Sequence, residues 1–287
     1  MIPAFLVCAL VSLPAAALQT GTSPPAPDGN RLVKVELVAD HAAIRPGAKF
    51  TLAAKLTVEP KWHIYWQNPG DAGVPTRVEV HAPPGFKVGA VQFPVPARDE
   101  ADGDLVSYVY TGETALLVDV AAPEDWKPGA SVDLAIDASW LVCTSVCLRG
   151  SGKASLSLAT ASKSEPEHLA NEKDFARWRA RLPRPYEDLL AIAGYHDSGF
   201  RDRAKPFVVS VPGALALDFY PRTTEPISLE LMNLELAREA EACTMKLTFA
   251  PPAGYTGNRY DFSGVLAVRD ASGDKYYDVG FGYNVVR

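Results

Sequence analysis

The chain has 287 residues, 22% of them charged and 47% hydrophobic, with a formal net charge of −6 at neutral pH. That length can bury sizeable cores and favours about two domains, and the composition is that of a folded soluble protein rather than a disordered one. An acidic balance with no basic run argues against nucleic acid, whose phosphates are gripped by clustered Lys and Arg.

From the amino terminus, an apolar stretch from Ile2 to Leu13 runs into Ala15-Ala16-Ala17, and the first charged residue is Asp28. This is the pattern of a secretory signal, expected over residues 1–18, although its n-region lacks a Lys or Arg. The apolar run is short for a membrane anchor, and no later stretch suffices to span a bilayer. Export therefore leaves Cys143, Cys147 and Cys243, an odd count that predicts one disulfide and one remaining thiol in an oxidising compartment.

Residues 19–30 are rich in Pro, Gly, Ser and Thr and read as a flexible leader. Period-two alternation follows. Phe50, Leu52, Ala54, Leu56 and Val58 share one face; so do Val132, Leu134, Ile136, Ala138, Trp140 and Val142. Shorter runs lie at Leu32–Val38, Thr76–Val80, Thr114–Val120 and Ala154–Leu158, separated by turns such as Asn68-Pro69-Gly70-Asp71. Strands at this spacing predict an immunoglobulin-like sandwich over residues 31–162. Leu169, Phe175, Trp178 and Leu182 then recur at roughly helical spacing until Pro183 and Pro185, so residues 163–190 read as a helical linker. Alternation resumes at Phe207–Val211, Leu215–Phe219, Met245–Phe249, Val265–Val268 and Tyr276–Tyr283, which predicts a second β-sandwich over residues 191–287. The fold class is all-β, two immunoglobulin-like sandwiches joined by a short helical linker.

The chemistry concentrates at Cys143 and Cys147. Continued alternation puts Trp140 and Val142 in the core and Cys143 on the polar face, where a reactive thiol is accessible. Four residues of straight strand would hold the two Cα atoms about 13 Å apart, whereas a disulfide needs roughly 4.4–6.8 Å. The chain must therefore turn back, and Thr144-Ser145 suits a turn. So small a loop restrains the unfolded chain by only about 2 kcal/mol, a weak return for a structural staple. At this level a redox pair, a staple and a metal site all stay open.

Three segments taken together carry a resemblance: Trp62-His63-Ile64-Tyr65-Trp66-Gln67-Asn68-Pro69-Gly70-Asp71-Ala72-Gly73, then Leu105-Val106-Ser107-Tyr108-Val109-Tyr110-Thr111-Gly112-Glu113, then Trp140 through Cys147. Their order and spacing over roughly residues 30–160 resemble the periplasmic N-terminal domain of DsbD-type thiol:disulfide interchange proteins. The two-sandwich layout looks most like the copper-sensitivity-suppressor (ScsB-like) branch. The resemblance implies a periplasmic thiol–disulfide oxidoreductase component with Cys143 and Cys147 as the exchanging pair. It implies electrons drawn from a membrane thiol donor, here a separate protein, and passed to periplasmic thioredoxin-like partners, a chemistry serving copper tolerance or cytochrome c biogenesis. It also implies a cap loop, matching roughly Asp99 to Gly112, in which Tyr108 and Tyr110 are the aromatics best placed to cover a sulfur, with ordinary strand packing the other reading of both. The cysteines stand closer together than in better-known members.

No cofactor, resident metal or small-molecule substrate is expected. His63 reads as a hydrogen-bonded histidine at a strand end, although imidazole beside two thiolates also suits copper or zinc. Cys243 reads as a small buried residue, and Asp71 as a turn residue satisfying backbone groups. Two rival functions remain: a copper(I)-binding module using the same sulfurs, and a structural interaction module with a small staple.

Overall fold

A computed structural model describes residues 28–101, 105–127, 129, 131–190, 194–197, 205–222, 230–239, 242–250, 256–257 and 259–284. The expected signal peptide and residues 19–27 of the leader lie outside the described residues.

The first sandwich is built from β1 (Val33–Ala39), β2 (His41–Ile44), β3 (Lys49–Val58), β4 (His63–Gly70), β5 (Arg77–His81), β6 (Lys87–Gln92), β7 (Ala97–Ala101), β8 (Leu105–Tyr110), β9 (Glu113–Ala121), β10 (Ser131–Cys143), β11 (Cys147–Thr160) and the short β12 (His168–Leu169). One sheet has the order β1-β3-β9-β6. The other runs β12-β2-β11-β10-β4-β8-β7, with β5 alongside β10. Alternation is what makes β10 a sheet strand with one wet face. Val132, Leu134, Ile136, Ala138, Trp140 and Val142 are all buried, while Ser131, Asp133 and Ser139 are exposed. They meet Leu52, Leu56, Leu116 and Val118 of the facing sheet, each worth roughly 1.5–3 kcal/mol of transfer free energy for the largest side chains.

The connecting segment holds α1 (Glu172–Arg179) and α2 (Tyr186–Leu190). Phe175 and Trp178 fall on one face of α1 and pack on Ala53, Ala115 and Leu117, covering the outer side of the first sheet. Small residues on β3 and β9 leave room for those two rings. The helix is also tied electrostatically: Arg179 Nη2 donates to Asp40 Oδ2 at 2.5 Å and to Thr51 Oγ1 at 2.9 Å.

The second sandwich comprises β13 (Gly194–Asp197), β14 (Lys205–Pro212), β15 (Ala216–Arg222), β16 (Glu230–Glu239), β17 (Ala242–Ala250), β18 (Arg259–Asp270) and β19 (Gly273–Asn284). Its sheets are β13-β14-β17-β16 and β15-β18-β19, around Val209, Val211, Phe219, Met245, Leu266 and Val279. The two sandwiches share a core edge. Tyr220 and Val265 from the second pack with Trp66, Tyr108 and Tyr110 of the first. Asn68 Nδ2 donates to the Pro221 carbonyl at 2.7 Å, and Arg184 exchanges backbone hydrogen bonds with Tyr276 and Asp278.

Candidate thiol–disulfide site

The β10–β11 hairpin is paired continuously from Ser131–Ala159 to its last rung, Cys143–Cys147. Thr144, Ser145 and Val146 form the exposed tip, where the Thr144 amide donates to the Val146 carbonyl at 3.0 Å. Reversal of the chain brings the two Cα atoms to 4.2 Å, and the sulfurs are bonded to each other. Cross-strand partners project to the same face, so the turn anticipated at Thr144-Ser145 is what makes the pairing geometrically available.

The two sulfurs occupy different surroundings. Cys147 is exposed, whereas Cys143 is 1% exposed. Here the structure corrects an expectation. Cys143 does lie on the face of β10 away from the main core, but that face is not open to water at this end. It is roofed by Tyr65 of β4 and Val109 of β8, with Leu141 alongside. The covering strands come from elsewhere in the chain, so alternation within β10 alone does not reveal them.

Tyr65 is held in place from above. Residue 73 has φ +110, and a Cβ there would stand 2.3 Å from a carbon of the Tyr65 ring, so only glycine lets this turn lie on the ring. The same turn is fastened to β8, because Asp71 Oδ2 accepts from the Val106 amide and the Asp71 amide donates to the Val106 carbonyl, both at 2.8 Å. Asp71 therefore does satisfy a backbone group, although on a distant strand rather than within its own turn.

Tyr108 and Tyr110, the expected shields, point the other way. Both are buried in the main core. Tyr110 Oη donates to the Pro94 carbonyl at 2.6 Å. The Tyr108 ring stands edge-on to Trp66 at 6.0 Å and to Tyr220 at 5.8 Å. Burial pushes the Tyr108 hydroxyl up to about 12 and Tyr110 well above its usual range. The physical reason is the two-residue period: with 108 and 110 inward, Val109 between them is the β8 side chain that reaches Cys143. Shielding passes to Tyr65 and Val109, and it protects Cys143 rather than Cys147. Period two along Leu105–Tyr110 was the signal for Val109. Tyr65 had none, since Ile64, Tyr65 and Trp66 are buried in succession on a strand covered on both faces.

His63 opens β4 and is the Cα partner of Cys143 in the β4–β10 ladder. Its Nε2 lies 3.3 Å from Tyr65 Oη, and the two rings meet edge-on at 5.2 Å. Burial holds the imidazole below its ordinary pKa, with Asp99 of β7 opposing the shift. Burial and the Asp99 charge raise Tyr65. Cys243 sits apart, buried in the second sandwich beside Met245. Among the described residues, no three His, Cys, Asp or Glu side chains are grouped as metal ligands, and no helix is long and apolar enough to cross a membrane.

Residues 30–159 match the family described as thiol:disulfide interchange protein DsbD, N-terminal. Among solved structures, the N-terminal periplasmic domain of ScsB from Proteus mirabilis superposes with a TM-score of 0.59 at 15% identity, over 88% of this chain and 94% of that one. That likeness is one of fold, across both sandwiches. The sporulation control protein Spo0M from Bacillus subtilis aligns over 88% of this chain and 90% of its own at 10% identity, with a TM-score of only 0.22. No curated protein sequence matches the chain.

Proposed function

We propose, from the premise that residues 30–159 are a DsbD-type N-terminal domain, that this chain relays electrons in the periplasm by thiol–disulfide exchange through Cys143 and Cys147. One observation carries the reading: the disulfide joins an exposed cysteine, Cys147, to one kept under Tyr65 and Val109, Cys143. A staple has no use for that asymmetry. An exchange site needs it, because one sulfur must meet an incoming disulfide while the other waits.

In the reduced state the Cys147 thiolate attacks a partner disulfide, expelling one partner thiolate and forming a mixed disulfide. Cys143 then attacks Cys147 Sγ, closing the internal bridge and releasing the second partner sulfur. Two electrons have passed to the partner, a thioredoxin-like protein of the periplasm. A membrane thiol donor returns them by attacking Cys147 and running the sequence backwards. The second sandwich supports this role by bracing the strands beside the site, through Arg98–Asp218 and Tyr108–Tyr220.

The deciding measurement is the reduction potential of the pair in a glutathione buffer series. A value in the range of exchange proteins, about −120 to −270 mV, supports the relay; one below about −300 mV marks a structural bridge and ends the proposal. His63 opposite Cys143 also favours a second reading, a copper(I) site on the reduced sulfurs. Stoichiometric copper on the reduced wild type, absent from the Cys143→Ser/Cys147→Ser protein, is the result it requires.

A further inference from the structure

We propose that His63 is the base that takes the Cys143 proton when the mixed disulfide is resolved, and the acid that returns it when the bridge is opened. This rests on the exchange reading above and assigns it a residue that the cysteine pair alone does not supply.

The need arises from burial. Thiol–disulfide exchange proceeds through the thiolate, and an ordinary cysteine is mostly protonated at neutral pH. Cys143 is 1% exposed and packed against Tyr65 and Val109, an apolar setting that favours the neutral thiol further and excludes bulk water as proton acceptor. A neighbour must take the proton.

His63 is placed to do so. Opposed residues on antiparallel strands carry Cβ atoms about 4.5–5.5 Å apart on the same face, and Cys143 is opposed by His63. With Nε2–H donating to Tyr65 Oη, 3.3 Å away, the Nδ1 lone pair is left to receive a proton; Nδ1 makes no hydrogen bond among the described residues. The groups facing the ring are Tyr65 on its own strand, Asp99 from β7 and, across the ladder, Cys143 of β10. Their effects fit the task. Burial favours the neutral imidazole, leaving its lone pair free to accept a proton, while the Asp99 carboxylate favours the imidazolium that forms. Tyr65 is held protonated and serves as the acceptor that positions Nε2–H, not as a rival base.

In the resolving step, Cys143 Sγ–H gives its proton to His63 Nδ1. The thiolate attacks Cys147 Sγ, the Cys143–Cys147 bond forms, and the bond from Cys147 to the partner breaks with its electron pair leaving on the partner sulfur. That thiolate takes up the proton from the imidazolium, so charge and protons balance with no further reagent.

The test follows the reduced full-length protein reacting with glutathione disulfide by rapid quench and intact mass, from pH 5.5 to 9. His63→Gln keeps a donor for Tyr65 Oη but cannot titrate. Its thermal midpoint and the rate of glutathione adduct formation at Cys147 should match wild type within about twofold. Resolution of the adduct should slow at least tenfold at pH 7, given that general base catalysis typically contributes about 10²–10⁴. The histidine inflection should vanish from the pH profile, and added imidazole should restore part of the rate. Unchanged resolution with an unchanged profile overturns the assignment. A wild-type protein that never forms the adduct sinks the exchange reading instead, and the two failures are distinguishable in one experiment.

Discussion

Arg98, the neighbour of Asp99 on β7, donates to Asp218 Oδ1 of the second sandwich at 2.5 Å, with its guanidinium 5.9 Å above the Tyr108 ring and 6.0 Å above Tyr220. One side chain thus joins the strand whose Asp99 brings charge to His63 and Tyr65 with the core edge that the two sandwiches share. The same guanidinium reaches the Phe219 carbonyl at 3.1 Å, so a positive charge at a partly buried seam is met by a carboxylate, a carbonyl and two ring faces.

Arg98→Ala should lower stability by about 1.5–3 kcal/mol, the range for hydrogen bonds to charged groups. Paired with Asp218→Ala, the loss should be smaller than the sum of the two single changes, as expected for groups in contact. Urea unfolding of the four proteins measures both quantities. Additive losses would show that the pair does not join the sandwiches energetically.

The two cysteines should differ sharply once separated. In Cys143→Ser the thiol at Cys147 stands in solvent; in Cys147→Ser the thiol at Cys143 remains under Tyr65 and Val109. Alkylation by iodoacetamide at pH 8 should be at least tenfold faster for Cys143→Ser, and that variant alone should accumulate a stable mixed disulfide. Equal rates would mean that the burial of Cys143 does not govern its chemistry.

Gly73→Ala should lift the roof. The new methyl would sit 2.3 Å from the Tyr65 ring at a backbone φ of +110, which should cost about 1–3 kcal/mol through overpacking and backbone strain. Placed in the Cys147→Ser background, it should speed alkylation of Cys143 by releasing Tyr65. A destabilised protein whose Cys143 stays inert would show that Val109 and Leu141 suffice as cover.

These predictions divide along what the residues themselves disclosed. The core face of β10 was legible because alternation over a long strand survives any neighbour; the inward set from Val132 to Val142 needed no tertiary information. The cysteine turn was legible from distance alone. The state of the outer face was not, because whether Cys143 is wet depends on strands that arrive from residues 63–70 and 105–110. Tyr108 and Tyr110 were misplaced for a related reason. Their aromatic character suggested a lid, yet period two along β8 sends them to the core and leaves the smaller Val109 at the sulfur. Tyr220 as part of the first core carried no local signal, since it is supplied from more than a hundred residues downstream.

Acid should weaken the docking of α1. Burial alone would raise the Asp40 carboxyl, but the Thr51 amide, His41 and Arg179 outweigh it and hold the group below its ordinary value of 3.8. A carboxyl lowered on folding contributes stability that is complete above its unfolded pKa and is lost as pH falls through the folded one. The loss therefore lies below about pH 4. Thermal unfolding at pH 7 and pH 3 should show a larger drop for wild type than for Asp40→Asn, the difference isolating this group from other paired carboxylates. An identical drop in both would remove Asp40 from the account.

The disulfide caps a hairpin that backbone pairing has already closed, rung by rung, from Ser131–Ala159 to the tip. Because the loop it encloses is so short, opening it should change stability by only about 2 kcal/mol, and no strand depends on it for register. On the proposed relay, the reduced and oxidised forms should therefore keep the same hairpin pairing. A donor and an acceptor arriving at this surface would then be told apart by whether Cys147 offers an electrophile or a nucleophile. In such a relay, traffic would be sorted by reaction rate rather than by recognition.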